Sequence, residues 1–92
     1  MGMTTLTGTL TCQTEADLAL VKTYLPEHIR LSRAEPGCLK FEVTQGGDPM
    51  VWHLDEAFKD AAAFEAHQTR TKASIWAEKS AGLARDFKRV DS

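Results

Sequence analysis

Between Thr5 and Cys12 polar and apolar positions alternate without a break: threonines at 5, 7, 9 and 11, with Leu6, Gly8, Leu10 and Cys12 between them. A period of two predicts a strand. Gly8 leaves a gap in its apolar row, which points to close approach of a helix or to room for a ligand, with packing the simpler reading. The period then changes. Thr14-Glu15-Ala16-Asp17 resembles a capping box, and Leu18, Val21, Leu25 and Ile29 form one apolar helix face running through Arg33, with a kink or restarted turn expected at Pro26. Pro36-Gly37 marks a turn into a strand whose Leu39, Phe41 and Val43 oppose Lys40, Glu42 and Thr44. Gly46-Gly47-Asp48-Pro49 reads as a hairpin loop before a strand from Met50 to Phe58, where Glu56 shares a face with Met50, Trp52, Leu54 and Phe58 while Val51, His53 and Asp55 share the other. Asp60 is a helix cap for Ala61 to His67, and Thr69 or Thr71 could cap a following segment containing Ala73, Ile75, Trp76 and Ala77. Gly82 ends it, and Ala84 to Val90 reads as a last strand.

The order β-α-β-β-α-β is the split βαβ, or ferredoxin-like, α+β arrangement: an antiparallel sheet with both helices on one face. Ninety-two residues suit one domain over 1–92, burying about 65% of its unfolded surface. Helices on one face leave the other uncovered. Apolar residues expected there predict a homodimer with sheet packed against sheet.

Charge and composition narrow the partners. A net charge of −2 and a pI near 5.9 give no basic surface for nucleic acid; Lys79, Arg85, Lys88 and Arg89 read as solvated charges. No run of about 18 apolar residues is present to span a membrane. Met1 to Leu6 lacks the basic and apolar regions of a signal peptide, which predicts a cytoplasmic protein. Cys12 and Cys38 are too few for a disulfide scaffold and read as reduced, packed thiols. No metal site is expected, because His28, His53 and His67 lie on different elements without ligand spacing.

Candidate chemistry is sparse. Glu56 is a carboxylate in an apolar row and must find a partner, solvent or a function. Tyr24 and His28, one helical turn apart, could flank a pocket or be half-buried surface groups. Glu35-Pro36-Gly37-Cys38-Leu39-x-Phe41-x-Val43, then Trp52-x-Leu54-x-Glu56-x-Phe58-x-Asp60, then Ala63-Phe64-x-x-His67 resemble the antibiotic biosynthesis monooxygenase family. The resemblance implies a dimeric α+β barrel with a pocket between sheet and helices in each subunit. It also implies a monooxygenase that oxidises a quinol or electron-rich phenol with molecular oxygen and no cofactor. On that reading His67 is the acid/base group, Trp52, Phe64 and Trp76 wall the pocket, Arg70 holds an oxyanion, and Tyr24 and Glu56 contact substrate. Plain packing for the aromatics, a structural hydrogen bond for His67 and a solvated Arg70 are the alternatives. The chain contains no Asn, a residue that some phenol-oxidising and haem-degrading members place in the pocket, and no His near Ala77, where the haem-degrading branch carries its axial ligand, which argues against that branch. A non-catalytic small-molecule-binding or stress-response protein on the same barrel is the second functional reading, and an isomerase-like relative the third.

Overall fold

The computed structural model describes residues 2–92. Strands β1 (Thr4–Thr11), β2 (Cys38–Gln45), β3 (Val51–Phe58) and β4 (Ala84–Asp91) and helices α1 (Glu15–Arg33), α2 (Ala61–Lys72) and α3 (Ile75–Ser80) follow in the order β1-α1-β2-β3-α2-α3-β4. The strands form one antiparallel sheet in the order β2-β3-β1-β4, the ferredoxin-like order, with the helices on one face. The expected architecture therefore stands, with a third short helix that the pattern placed only loosely.

Caps explain the helix starts. Thr14 accepts a hydrogen bond from the Asp17 amide, while Asp60 Oδ1 accepts from the Ala63 amide at 2.8 Å. The short α3 is capped by Ser74, not by Thr69 or Thr71, because α2 continues past His67 to Lys72. Helix α1 runs through Pro26 as one element, with no restarted turn. The last strand extends one residue beyond the expected Val90.

Pairing aligns the helix-facing side chains in rows across the sheet. Leu6 lies between Glu56 and Arg89, Gly8 between Leu54 and Phe87, and Leu10 between Trp52 and Arg85. At Gly8, which has a φ of 155°, an added Cβ would lie 2.0 Å from the Asp86 carbonyl oxygen. The glycine thus answers to close approach of the β4 backbone, rather than to a helix. Leu10, Cys12, Val21, Leu25, Trp76 and Leu83 fill one end of the core, and Phe41, Phe58 and Phe64 the other.

The opposite sheet face differs from its expectation. It carries Thr5, Thr7, Thr9, Lys40, Glu42, Thr44, His53 and Asp55, with Lys40 paired to Asp55 at 2.6 Å, and offers only scattered apolar groups such as Val51 and Val90. Threonines supply β propensity without supplying an apolar surface, so the period of two located the strands and overstated what their outer face hides. Among the described residues no helix is long and apolar enough to cross a membrane.

Candidate active site

Helical spacing puts Phe64, His67 and Thr71 on one side of α2, with Arg70 a turn from His67. This side faces the sheet across a cavity of about 540 Å³, lined by Leu6, Leu54, Glu56, Phe64, His67, Thr71, Trp76, Arg85, Phe87 and Arg89 among others. Every residue of β4 is exposed, so the cavity is less covered along that strand.

Glu35, in the turn that connects α1 to β2, fixes the imidazole. The turn is closed by the Cys38 amide donating to the Glu35 carbonyl, and an added Cβ at Gly37 would lie 2.3 Å from the Ala63 Cβ. That contact seats the turn against the first turn of α2 and brings the Glu35 carboxylate to His67 Nδ1 at 2.9 Å and to Arg70 Nε at 2.5 Å. Arg70 also donates to Ser32 Oγ at 2.9 Å. Gly37→Ala is accordingly expected to destabilise the fold by about 1–3 kcal/mol, measured by chemical denaturation, since the overlap must push α2 or the turn aside.

With Nδ1–H donating to a carboxylate, the partners assign the Nε2 lone pair to the cavity side. Nε2 stands 3.4 Å from Thr71 Oγ1 and 3.8 Å from Glu56 Oε1. His67 is only 3% exposed, and its ring packs on Phe58 at a centroid distance of 4.9 Å. Burial pulls its pKa below the ordinary imidazole value; the Glu35 carboxylate opposes that shift and Arg70 adds to it. A neutral imidazole with an oriented lone pair can accept a proton from a bound hydroxyl.

Glu56 is 2% exposed, and its Oε1 has no hydrogen-bond partner among the described residues. Burial, with the Glu35 charge adding to it, raises this carboxyl to about 8. Near neutral pH it is thus a carboxylic acid that can donate a hydrogen bond into the cavity. His28 is stacked on Trp76, with ring centroids 5.7 Å apart, and buried; burial first, then repulsion by His67 whenever that ring is protonated and by the Arg70 guanidinium, lower it to about 3, so it is neutral.

The structure gathers some of the expected residues and disperses others. His67, Glu56, Phe64 and Trp76 line the cavity together. Trp52 lies on the same sheet face but packs against the Leu10 end of the core, and its buried indole nitrogen has no partner among the described residues. Tyr24 sits outside the cavity, beneath the Lys79 ammonium at 5.8 Å, in a groove between α1 and α3. Arg70 points away from the cavity into its ion pair with Glu35, so it positions His67's partner and holds no oxyanion there. His28 proves to be a wall residue, not a surface group. Glu35 had no assigned role in the pattern, and Arg85, read there as a solvated charge, lies on the cavity wall instead. Glu35 lies 32 residues from His67 in the chain, and only the topology brings them together. For Arg85 a signal was present, because the period of two in β4 puts Arg85, Phe87 and Arg89 on the face of Leu10. Among the described residues no group of three or more metal-ligating side chains is placed to hold an ion.

A ferredoxin-like sheet with a helix-covered cavity and a carboxylate-held imidazole defines the class, and comparison with known proteins gives it a family. The family model for antibiotic biosynthesis monooxygenases matches residues 3–79. The chain belongs to that family, and with it to a monooxygenase-like group of proteins. A candidate antibiotic biosynthesis monooxygenase from Nitrosomonas europaea is 25% identical, with a TM-score of 0.77 over 100% of this chain and 90% of its own. PA3566 from Pseudomonas aeruginosa is 23% identical, with a TM-score of 0.78 over 100% and 95%. A candidate antibiotic biosynthesis monooxygenase from Deinococcus radiodurans is 18% identical, with a TM-score of 0.76 over 97% and 91%; like the Pseudomonas protein, it speaks for the fold alone. No functionally curated protein matches the sequence significantly.

Proposed function

We infer that the protein is a cofactor-independent monooxygenase that oxidises a quinol or electron-rich phenol with molecular oxygen. The observation that carries the reading is the opening between His67 Nε2 and Glu56 Oε1, 3.8 Å apart at the cavity wall. A substrate hydroxyl seated there donates to Nε2 and accepts from the Glu56 carboxylic acid, so the proton to be removed and the oxygen left behind are both held. Proton transfer to His67 forms an imidazolium beside the Glu35 carboxylate, which stabilises it, and leaves an aryl oxyanion. The oxyanion reduces oxygen by one electron, and the resulting pair combines at a ring carbon to form a peroxide. Loss of water then leaves a carbonyl. The substrate supplies all the electrons: one oxygen atom enters the product, the other leaves as water, and two substrate hydrogens leave with it. Leu6, Leu54, Phe64 and Trp76 supply an apolar wall for the rings and limit water.

Reaction under isotopically labelled oxygen tests this reading. One labelled atom is expected in the product, with substrate consumed and oxygen taken up in equal amounts above the autoxidation blank. Conversion that proceeds equally well without oxygen would favour an isomerase, and saturable binding without product a non-catalytic carrier. A homodimer in the cytoplasm completes the proposal; the polar outer sheet face means that such an interface would be rich in hydrogen bonds instead of resembling a divided core.

A further inference from the structure

Arg85 approaches the cavity from β4, at the far end from His67. Its guanidinium is held in place by neutral acceptors only: the Ser80 carbonyl at 2.9 Å, the Leu83 carbonyl at 3.1 Å and Ser80 Oγ at 2.7 Å. No carboxylate pairs with it among the described residues. Arg89, by contrast, is balanced by Glu65 and Asp91. Lys72 adds a further positive charge to the cavity lining, where the only acidic side chain is Glu56. A fixed guanidinium whose charge no neighbour balances, on the wall of a cavity with a net positive lining, is a site for an anion.

Sheet register gives the scale. Glu56 and Arg85 lie two strands apart, about 10 Å, and four residues apart along the strands, about 13 Å. Between them the row Leu54-Gly8-Phe87 places no side chain at its centre. A ligand that meets both ends must therefore be elongated, with an apolar body and polar groups at opposite ends.

We propose that Arg85 forms an anion subsite, so that the cavity takes a fused-ring hydroxyaromatic acid whose hydroxyl meets His67 and Glu56 and whose carboxylate meets the Arg85 guanidinium. The inference rests on reading this cavity as the substrate site, and it adds the substrate's second polar group. A planar guanidinium fork matches a carboxylate in two parallel hydrogen bonds, which an ester cannot reproduce.

Calorimetric titration without oxygen, at neutral pH, with 6-hydroxy-2-naphthoic acid and its methyl ester tests it separately from turnover. The acid is expected to bind about tenfold or more tightly than the ester, the scale of one charge-assisted contact. In Arg85→Gln the ratio is expected to fall to near one, while Arg85→Lys keeps a preference for the acid because the positive charge remains. Far-ultraviolet circular dichroism and thermal unfolding of both variants establish that the fold persists. Equal binding of acid and ester by the unsubstituted protein, binding of neither, or an acid preference that survives in Arg85→Gln overturns the proposal. An acid preference without oxygen uptake would leave the subsite standing and sink the monooxygenase reading; uptake with no acid preference would do the reverse.

Discussion

Replacing His67 by Ala or Gln is expected to lower the oxygenation rate by at least about a hundredfold, the lower end of what a positioned general base contributes. The expectation follows from how completely the imidazole is held. Its Nδ1 is taken by Glu35, its ring is packed against Phe58, and Nε2 is left facing Thr71 and Glu56 at the cavity. His67→Ala also removes buried volume and will cost stability, so His67→Gln, which keeps most of that volume but has no comparable basicity, separates lost chemistry from lost packing. Glu35→Gln should give a smaller fall in rate, because the imidazole stays in place but loses the carboxylate that sets its tautomer and stabilises the imidazolium. Steady-state oxygen consumption at saturating substrate reads all three variants. A Gln variant that is folded and as fast as the original chain would remove His67 from the chemistry.

The second large effect is on stability against pH, and its sign follows from Glu56 and His28. Glu56 has its folded-state pKa raised from 4.5 to about 8, so the folded chain holds a proton that the unfolded chain releases across that interval. Stability therefore falls as pH rises through it. His28 has its folded-state value lowered from 6.5 to about 3, and His67 is also lowered; there the unfolded chain binds more protons, and stability rises with pH up to about 6.5. From 4.5 to 6.5 the contributions of Glu56 and His28 oppose each other, and His67 adds to the rise. Above 6.5 the histidine contributions fade and Glu56 dominates, so stability should drop by about 1 kcal/mol between pH 6.5 and 8. Glu56→Gln should abolish that alkaline limb and leave the acid limb in place. Urea unfolding at a series of pH values measures both; a wild-type curve that is flat from pH 6.5 to 8 contradicts a buried, neutral Glu56.

Local patterning made the fold legible because each element carries its own signal. Alternating threonines marked β1, the spacing of Leu18, Val21, Leu25 and Ile29 marked α1, and Asp60 marked the start of α2. What local patterning handles poorly is continuation and partnership. Helix α2 runs beyond His67 because its polar residues continue the helix without adding to the apolar face, and α3 starts at a Ser cap no stronger in sequence than the nearby threonines. His67 and Glu56 were legible as a basic group downstream and a misplaced carboxylate, and the fold sets them together. Arg70 misled, because a basic residue near a candidate base looks like an anion holder until the Glu35 turn is seated beside it. Glu35 itself was visible only as the opening of a turn. Its role depends on Gly37 meeting Ala63, a tertiary contact that no spacing rule encodes.

The most direct measurement is oxygen uptake by the purified protein, with product mass, on hydroquinones and hydroxynaphthoic acids at neutral pH and with autoxidation subtracted. Uptake above the blank is expected with at least one of them, matched by a product that has gained an oxygen atom and lost two hydrogens. Uptake no faster than the blank across the whole set, with those compounds bound in the cavity, would contradict it.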